Sequence, residues 1–178
     1  MEKTRSTLRA LAATALVAGL TLSVASCATR TDAVPPEVLT VMGSEPQHPL
    51  VTTNTNETGG GDILNYLYRG LISYDIDGSM RLEHAKSITP NANSTEFDIV
   101  LKPDWEFSNG ENITAQHYVD AWNFGACMDN VQMNQSFFQP IKGYDDIYNT
   151  KGTNCKMSGL TVTGRYSFKV TLRQPESG

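Results

Sequence analysis

The chain has 178 residues, 39% hydrophobic and 19% charged, which are globular values and length enough for one domain with an adequate core. Its net charge of −5 supplies no basic footprint for nucleic acid. Three histidines far apart and three cysteines without CxxC spacing form no metal-ligand pattern. No Ser/His/Asp or Cys/His set stands out as catalytic machinery, so neither an enzyme nor a cofactor is expected.

The first element is an export signal over residues 1–26. Lys3, Arg5 and Arg9 form a positive leader, and Ala10 to Val24 is an apolar run, too short and Ala-rich for a membrane span, that leads into small residues. Val24-Ala25-Ser26-Cys27 resembles a bacterial lipobox. That resemblance implies a diacylated Cys27 as the mature N-terminus, holding the protein on the outer face of the cytoplasmic membrane, at the cell surface or in the periplasm. Two acyl chains give stable anchoring where one does not. An ordinary secretory signal with a coincidental cysteine is the alternative. Residues 27–37, polar and closing on Pro35-Pro36, read as a flexible tether, which leaves 38–178 for the folded part.

Val38 to Met42 is a compact apolar strand stopped by Gly43. Pro46 and Pro49 prevent the next segment from continuing it. Asn54 to Gly61 is a polar, Gly-rich lead into a helix, without the Lys-Ser/Thr of a phosphate-cradling loop. Asp62 then falls in the first helical turn, and Ile63, Leu64, Leu67, Tyr68 and Leu71 line one helical face. Asp77-Gly78 is a hairpin turn between Ile72–Ile76 and the residues from Met80 onward. Asp75 and Asp77 flank that turn as solvated residues, not as a catalytic pair. Ser87 to Asn93 reads as a loop.

The densest signals come next. Phe97, Ile99 and Leu101 alternate with polar neighbours and Val100 in the period of a half-buried strand. Ser108-Asn109-Gly110 is a turn, and Thr114 is placed to cap a helix starting at Ala115. Tyr118, Val119 and Trp122 give that helix one apolar face. Tyr144, Ile147 and Tyr148 suit a short helix, and Leu160–Val162 and Phe168–Leu172 read as two strands around a turn. With Cys27 lipidated, Cys127 and Cys155 are left in a disulfide-permissive setting, where a bridge would close a loop of about thirty residues. Two buried thiols are the alternative. The sequons at Asn56, Asn93, Asn112 and Asn134 are read as composition.

From Phe97 to Trp122 the pattern is F-x-I-x-L-K-x-x-x-x-F-S-N-G-x-x-I-T-A-x-x-x-V-x-A-W. It resembles the signature of extracytoplasmic solute-binding proteins of the peptide/oligopeptide class, the receptors that feed ABC importers. Further blocks follow the same order: Gly43-Ser44-Glu45 with Pro49, Leu67-Tyr68-Arg69-Gly70-Leu71 with Asp75 and Gly78, Ile141 to Asp146, and Leu160 to Pro175. Asn109 stands where the usual form has Asp, and Arg69 replaces a commoner acid.

The resemblance implies an α/β fold with a mixed sheet, of the type II periplasmic-binding-protein kind. It implies the first part of the N-terminal lobe with its inserted subdomain, the second lobe being absent, and therefore an N-terminal fragment. The partners it implies are a peptide ligand and ABC permease subunits. Ser44, Glu45, Gln47 and His48, after the first strand, and Trp122 on the capped helix are the expected ligand contacts, with a plain surface loop for the first four and a place in the helix core for Trp122 as the alternatives. Two other readings stay open: a truncated lipoprotein with no transport role (an interaction module or a degraded-gene product), and a member of the same family that binds a non-peptide solute.

Overall fold

The computed structural model describes residues 40–152 and 154–176. The export signal, Cys27, the tether, and Val38 and Leu39 lie outside the described residues. The chain divides at Val41/Met42 into two units, and the second, Met42–Gly178, carries every element named below.

The elements run α1 (Thr58–Leu67), β1 (Ile72–Tyr74), β2 (Met80–Leu82), β3 (Ala85–Pro90), β4 (Glu96–Leu101), α2 (Ala115–Ala126), α3 (Tyr144–Tyr148), β5 (Leu160–Gly164) and β6 (Ser167–Thr171). Two 3₁₀ turns, Met128–Asn130 and Gln135–Phe138, follow α2. β1 and β2 form a hairpin; the other four strands form an antiparallel sheet in the order β3-β4-β6-β5. Helices and sheets share one unit, the mixed α/β class.

The alternation in β4 and β6 builds the core. Ile99, Leu101, Phe168 and Val170 point to one face and are buried, with Ile99 opposite Phe168 in the register. α2 lays Ala115, Val119 and Ala126 on that face, joined by Ile141, Tyr144, Ile147 and Met157. The opposite face is polar: Lys169 reaches Glu96 at 3.2 Å and Asp98 at 3.5 Å. Being solvent-exposed, these pairs contribute little to stability.

The entry to α2 is fixed by three local contacts. Gly110 takes φ +84° in the turn. The Thr114 amide donates to His117 Nδ1 at 3.1 Å, which closes the cap. The Ala115 amide, which has no partner inside the helix, donates to the Arg165 carbonyl in the β5–β6 turn at 2.9 Å. After α2, Cys127 and Cys155 are joined as a disulfide, their Cα atoms 5.4 Å apart.

Four expectations are corrected. Thr40 to Met42, the described part of the expected first strand, form no strand and are exposed, since no described segment pairs with them. α1 starts at Thr58, so the glycines form its first turns instead of leading into it, and Asp62 lies beyond the first turn. The reason is tertiary: a Cβ on Gly59 would sit 2.6 Å from Ser44 Oγ and 2.7 Å from the Ser44 carbonyl. Of the expected face of α1 only Leu64 is buried, while Leu67 and Tyr68 are exposed. The segment Ser87 to Pro90 belongs to strand β3 because β4 pairs with it, Ile88 opposite Ile99, and Pro90 is tolerated because β3 is an edge.

Candidate functional site

A cleft of about 590 Å³ opens between the C-terminal end of α1 and one face of α2. Its size is that of a small-molecule or side-chain site. α2 contributes His117, Tyr118, Ala121 and Trp122, successive positions on one helical side. Leu64, Tyr68, Arg69 and Gly70 come from α1 and the residues after it, His84 from the β2–β3 connection, Phe107 from a loop and Phe138 from the second 3₁₀ turn.

Each wall has a cause. Trp122 is braced edge-on by Tyr118 at 6.4 Å and by Phe168 at 5.7 Å, with Phe138 tilted against it at 6.3 Å. Tyr118 in turn stacks on Phe168 at 5.8 Å, so the sheet core supports the cleft floor. Phe107 meets His117 edge-on at 5.1 Å. Offset and T-shaped aromatic contacts of this kind hold rings in fixed orientations.

His84 is buried, with its Nδ1 2.7 Å from the Tyr118 hydroxyl and its ring 4.4 Å from that of Trp105. Its main chain is tied on both sides: the His84 amide donates to the Gly70 carbonyl and its carbonyl accepts from the Lys102 amide. Burial holds the His84 imidazole below its ordinary pKa and pushes the Tyr118 phenol well above its own. Both groups are therefore neutral at neutral pH. His117 has its Nδ1 committed to the Thr114 amide, and its Nε2 lies 3.4 Å from Glu111. Among the described residues, Arg69 is the only arginine or lysine lining the cleft, and none of the lining residues is a carboxylate.

Trp122, expected from the sequence, lines this cleft. Ser44, Glu45, Gln47 and His48 do not; they lie on the segment before α1. There the Gln47 amide donates to Glu57 Oε1 at 3.3 Å, and Glu57 Oε2 caps α1 through the Gly60 amide at 2.9 Å. Cys127 and Cys155 lie near Asp129 in a possible ligand cluster, but their sulfurs are bonded to each other. Sequence reading missed His84, Arg69, Phe107 and Phe138 as cleft residues. It also passed over Asn134, whose side-chain amide donates to the Thr52 and Thr55 carbonyls and whose backbone N–H donates to the Thr53 carbonyl. Asn134 thereby fixes one rim of the cleft, where Thr52 and Thr53 stand. No sequence signal marked His84, which stands beside the charged Glu83 between Leu82 and Ala85.

No protein-family model matches the chain. A dipeptide-binding protein of Lactococcus lactis subsp. cremoris is 26% identical over 126 residues, 71% of this chain and 23% of that protein. Among solved structures, Listeria monocytogenes OppA bound to peptide superposes with a TM-score of 0.67 at 26% identity, covering 72% of this chain and 25% of that one. The substrate-binding domain of an oligopeptide ABC transporter from Bacillus anthracis str. Ames gives a TM-score of 0.66 at 22% identity, covering 70% and 24%. The chain thus spans about a quarter of the length of the relatives it matches. Over that span it has the fold of the oligopeptide- and dipeptide-binding proteins of ABC importers, and these are its neighbours in both sequence and structure.

Proposed function

We propose that this chain is part of an exported peptide-binding protein that captures peptides for an ABC importer, with no catalytic step. The observation that carries the reading is that sequence and fold point to the same class of proteins, over 71% and 72% of the chain. The open aromatic cleft is compatible with it, because peptide side chains need roomy apolar surface beside a few polar groups. Ser44, Glu45, Gln47 and His48 enter this reading as main-chain and side-chain contacts on an exposed segment. Diacylation of Cys27, which belongs to the same proposal, would keep the protein at the membrane beside its permease.

The test is retention of peptides from a randomised pool by the purified full chain, identified by mass spectrometry and followed by calorimetry on single sequences. Retained peptides with saturable heats support the reading. A chain that retains none, while showing a cooperative urea transition, overturns it.

A second reading, an interaction module with no transport role, is favoured by one observation. Tyr74, Ile76 and Met80 leave the β1–β2 hairpin with its apolar side chains in solvent. If peptides bind equally well to the wild type and to a Tyr74→Ser, Ile76→Ser variant, the hairpin is no part of peptide capture.

A further inference from the structure

We propose that the cleft between α1 and α2 reads the carboxyl end of its ligand: an apolar side chain, preferably aromatic, seated against Trp122 and Phe138, with the neighbouring carboxylate held by Arg69. The inference deepens the peptide-binding reading and rests on it for the class of ligand.

Most of the polar groups in the cleft already have partners. His84 Nδ1 is bonded to Tyr118, and His117 is taken up by its cap and by Glu111. Their rings offer packing surface but little spare polarity toward a ligand. Arg69 is different. It is exposed, lines the cleft, and makes no hydrogen bond or ion pair among the described residues. Glu83, the acid that feels its charge, already accepts from Ser73 at 2.8 Å and from Arg81 at 2.8 Å. A guanidinium presents its donors as a planar fork, which matches a carboxylate better than a lone carbonyl. Among the described residues no carboxylate lines the cleft to repel a ligand's own. A ligand ammonium would meet Arg69 and, among the described residues, no lining carboxylate, while Glu83 and Glu111 are engaged by Arg81 and His117, so an amino terminus is disfavoured here.

The apolar half is set by Trp122, Phe138, Phe107 and Leu64, which form a wall of rings and one aliphatic side chain. Trp122 is held by Phe138 and Phe168, and Phe107 by His117, so little ordering is needed on binding. An aromatic guest gains both area and edge-to-face contacts there.

The experiment titrates the full chain with N-acetyl-phenylalanine, its amide, and phenylalaninamide, followed by amide chemical shifts and tryptophan fluorescence. The acid is expected to bind on the order of tenfold more tightly than its amide, the effect of one charge-assisted contact, and phenylalaninamide more weakly still. Arg69→Met should bring the acid down to the affinity of the amide and leave the amide unchanged. Ala121→Trp, which fills the cleft from an exposed lining position, should abolish both. Equal urea midpoints for wild type and variants rule out misfolding as the cause.

Equal affinity for acid and amide, no binding of the acid, or an Arg69→Met variant that binds the acid as before would each overturn the proposal. The two readings separate cleanly. Peptides bound equally by wild type and Ala121→Trp leave the peptide-binding reading standing and remove the cleft from it. N-acetyl-phenylalanine bound through Arg69, with no peptide retained, leaves the cleft assignment standing and removes the peptide reading.

Discussion

The four-stranded sheet with α2 and the stretch from α1 through the β1–β2 hairpin are built from the same residue types, yet they treat them oppositely. In the sheet, Ile99, Leu101, Phe168 and Val170 are driven inside, Phe168 to 0% exposure. In the hairpin and at the end of α1, Ile76 stands fully in solvent and Leu67 is 60% exposed. Leu67 continues the helical period of α1, whereas Ile76 stands in the turn between β1 and β2. What differs is whether another element lies across from the stripe. An apolar period states a capacity for burial; only a packing partner turns it into stability.

The largest test of that contrast is truncation on each side of it. Phe168→Ala removes a ring in contact with Tyr118 and Trp122 at the centre of the core. It should cost about 3–5 kcal/mol in urea denaturation. Ile76→Ala should change the same midpoint by less than about 0.5 kcal/mol. Because Phe168 supports the cleft floor, its truncation should also weaken any ligand held against Trp122. If the two substitutions cost the same, the hairpin is packed in solution and the contrast fails.

The disulfide comes next. Cys127 and Cys155 are 28 residues apart in the chain, and the bridge ties the end of α2 to the segment that leads into β5. Replacing both by serine should lower stability by about 3 kcal/mol through the freed unfolded chain, with reductant lowering the wild type alike. A reductant-insensitive wild type would show that the thiols are not bonded.

How far the sequence could be read follows the same division. The path from Phe97 to Trp122 was legible because every local signal agrees: alternation, a Gly turn at Gly110, a Thr114 cap, then a helical face. Strand β3 was not, because Lys86 to Pro90 has neither clean alternation nor a strong strand composition, and its pairing with β4 supplies what the segment lacks. The start of α1 was hidden for a related reason. Three glycines are poor helix formers, and only the closeness of Ser44 explains why Gly59 stands there. Of the cleft, Trp122 could be reached from the helix period. His84 could not be joined to Tyr118, 34 residues away, without the fold that brings them together.

The glycines of α1 allow that last point to be tested by sign. In an exposed helix Gly→Ala stabilises by up to about 1 kcal/mol. Gly61 has nothing within 4 Å of a built Cβ, so Gly61→Ala should raise the urea midpoint by that order. Gly59→Ala must push against the Ser44 backbone, and overpacking of this kind costs about 1–3 kcal/mol, enough to reverse the sign. Two alanines one turn apart or less, with opposite effects, would show that a close approach placed the glycine, not helix chemistry. Equal stabilisation by both would mean that the segment around Ser44 moves away freely.

The smallest effect concerns His84, where the two regions meet. Burial lowers its pKa from 6.5, Glu83 draws it back up, and Lys102 opposes the proton further. The sign follows from linkage. As pH falls through about 6.5 the unfolded ring takes a proton, while the buried one resists. The His84 contribution is thus complete above that pH and is lost as pH falls toward the folded-state value, where the folded ring also titrates. Urea midpoints should therefore decline between about pH 7 and pH 5 in the wild type. His84→Gln, which keeps a polar group near Tyr118 but has no proton to gain, should flatten that slope at some constant loss of stability. The shifted carboxylates Asp77 and Glu83 titrate below this window, since both are lowered from ordinary acid values by their hydroxyl partners Ser79 and Ser73. A wild-type midpoint that rises on acidification would mean that protonated His84 finds an acceptor in the fold, and the neutral His84–Tyr118 pair would have to be abandoned as the link between hairpin and core.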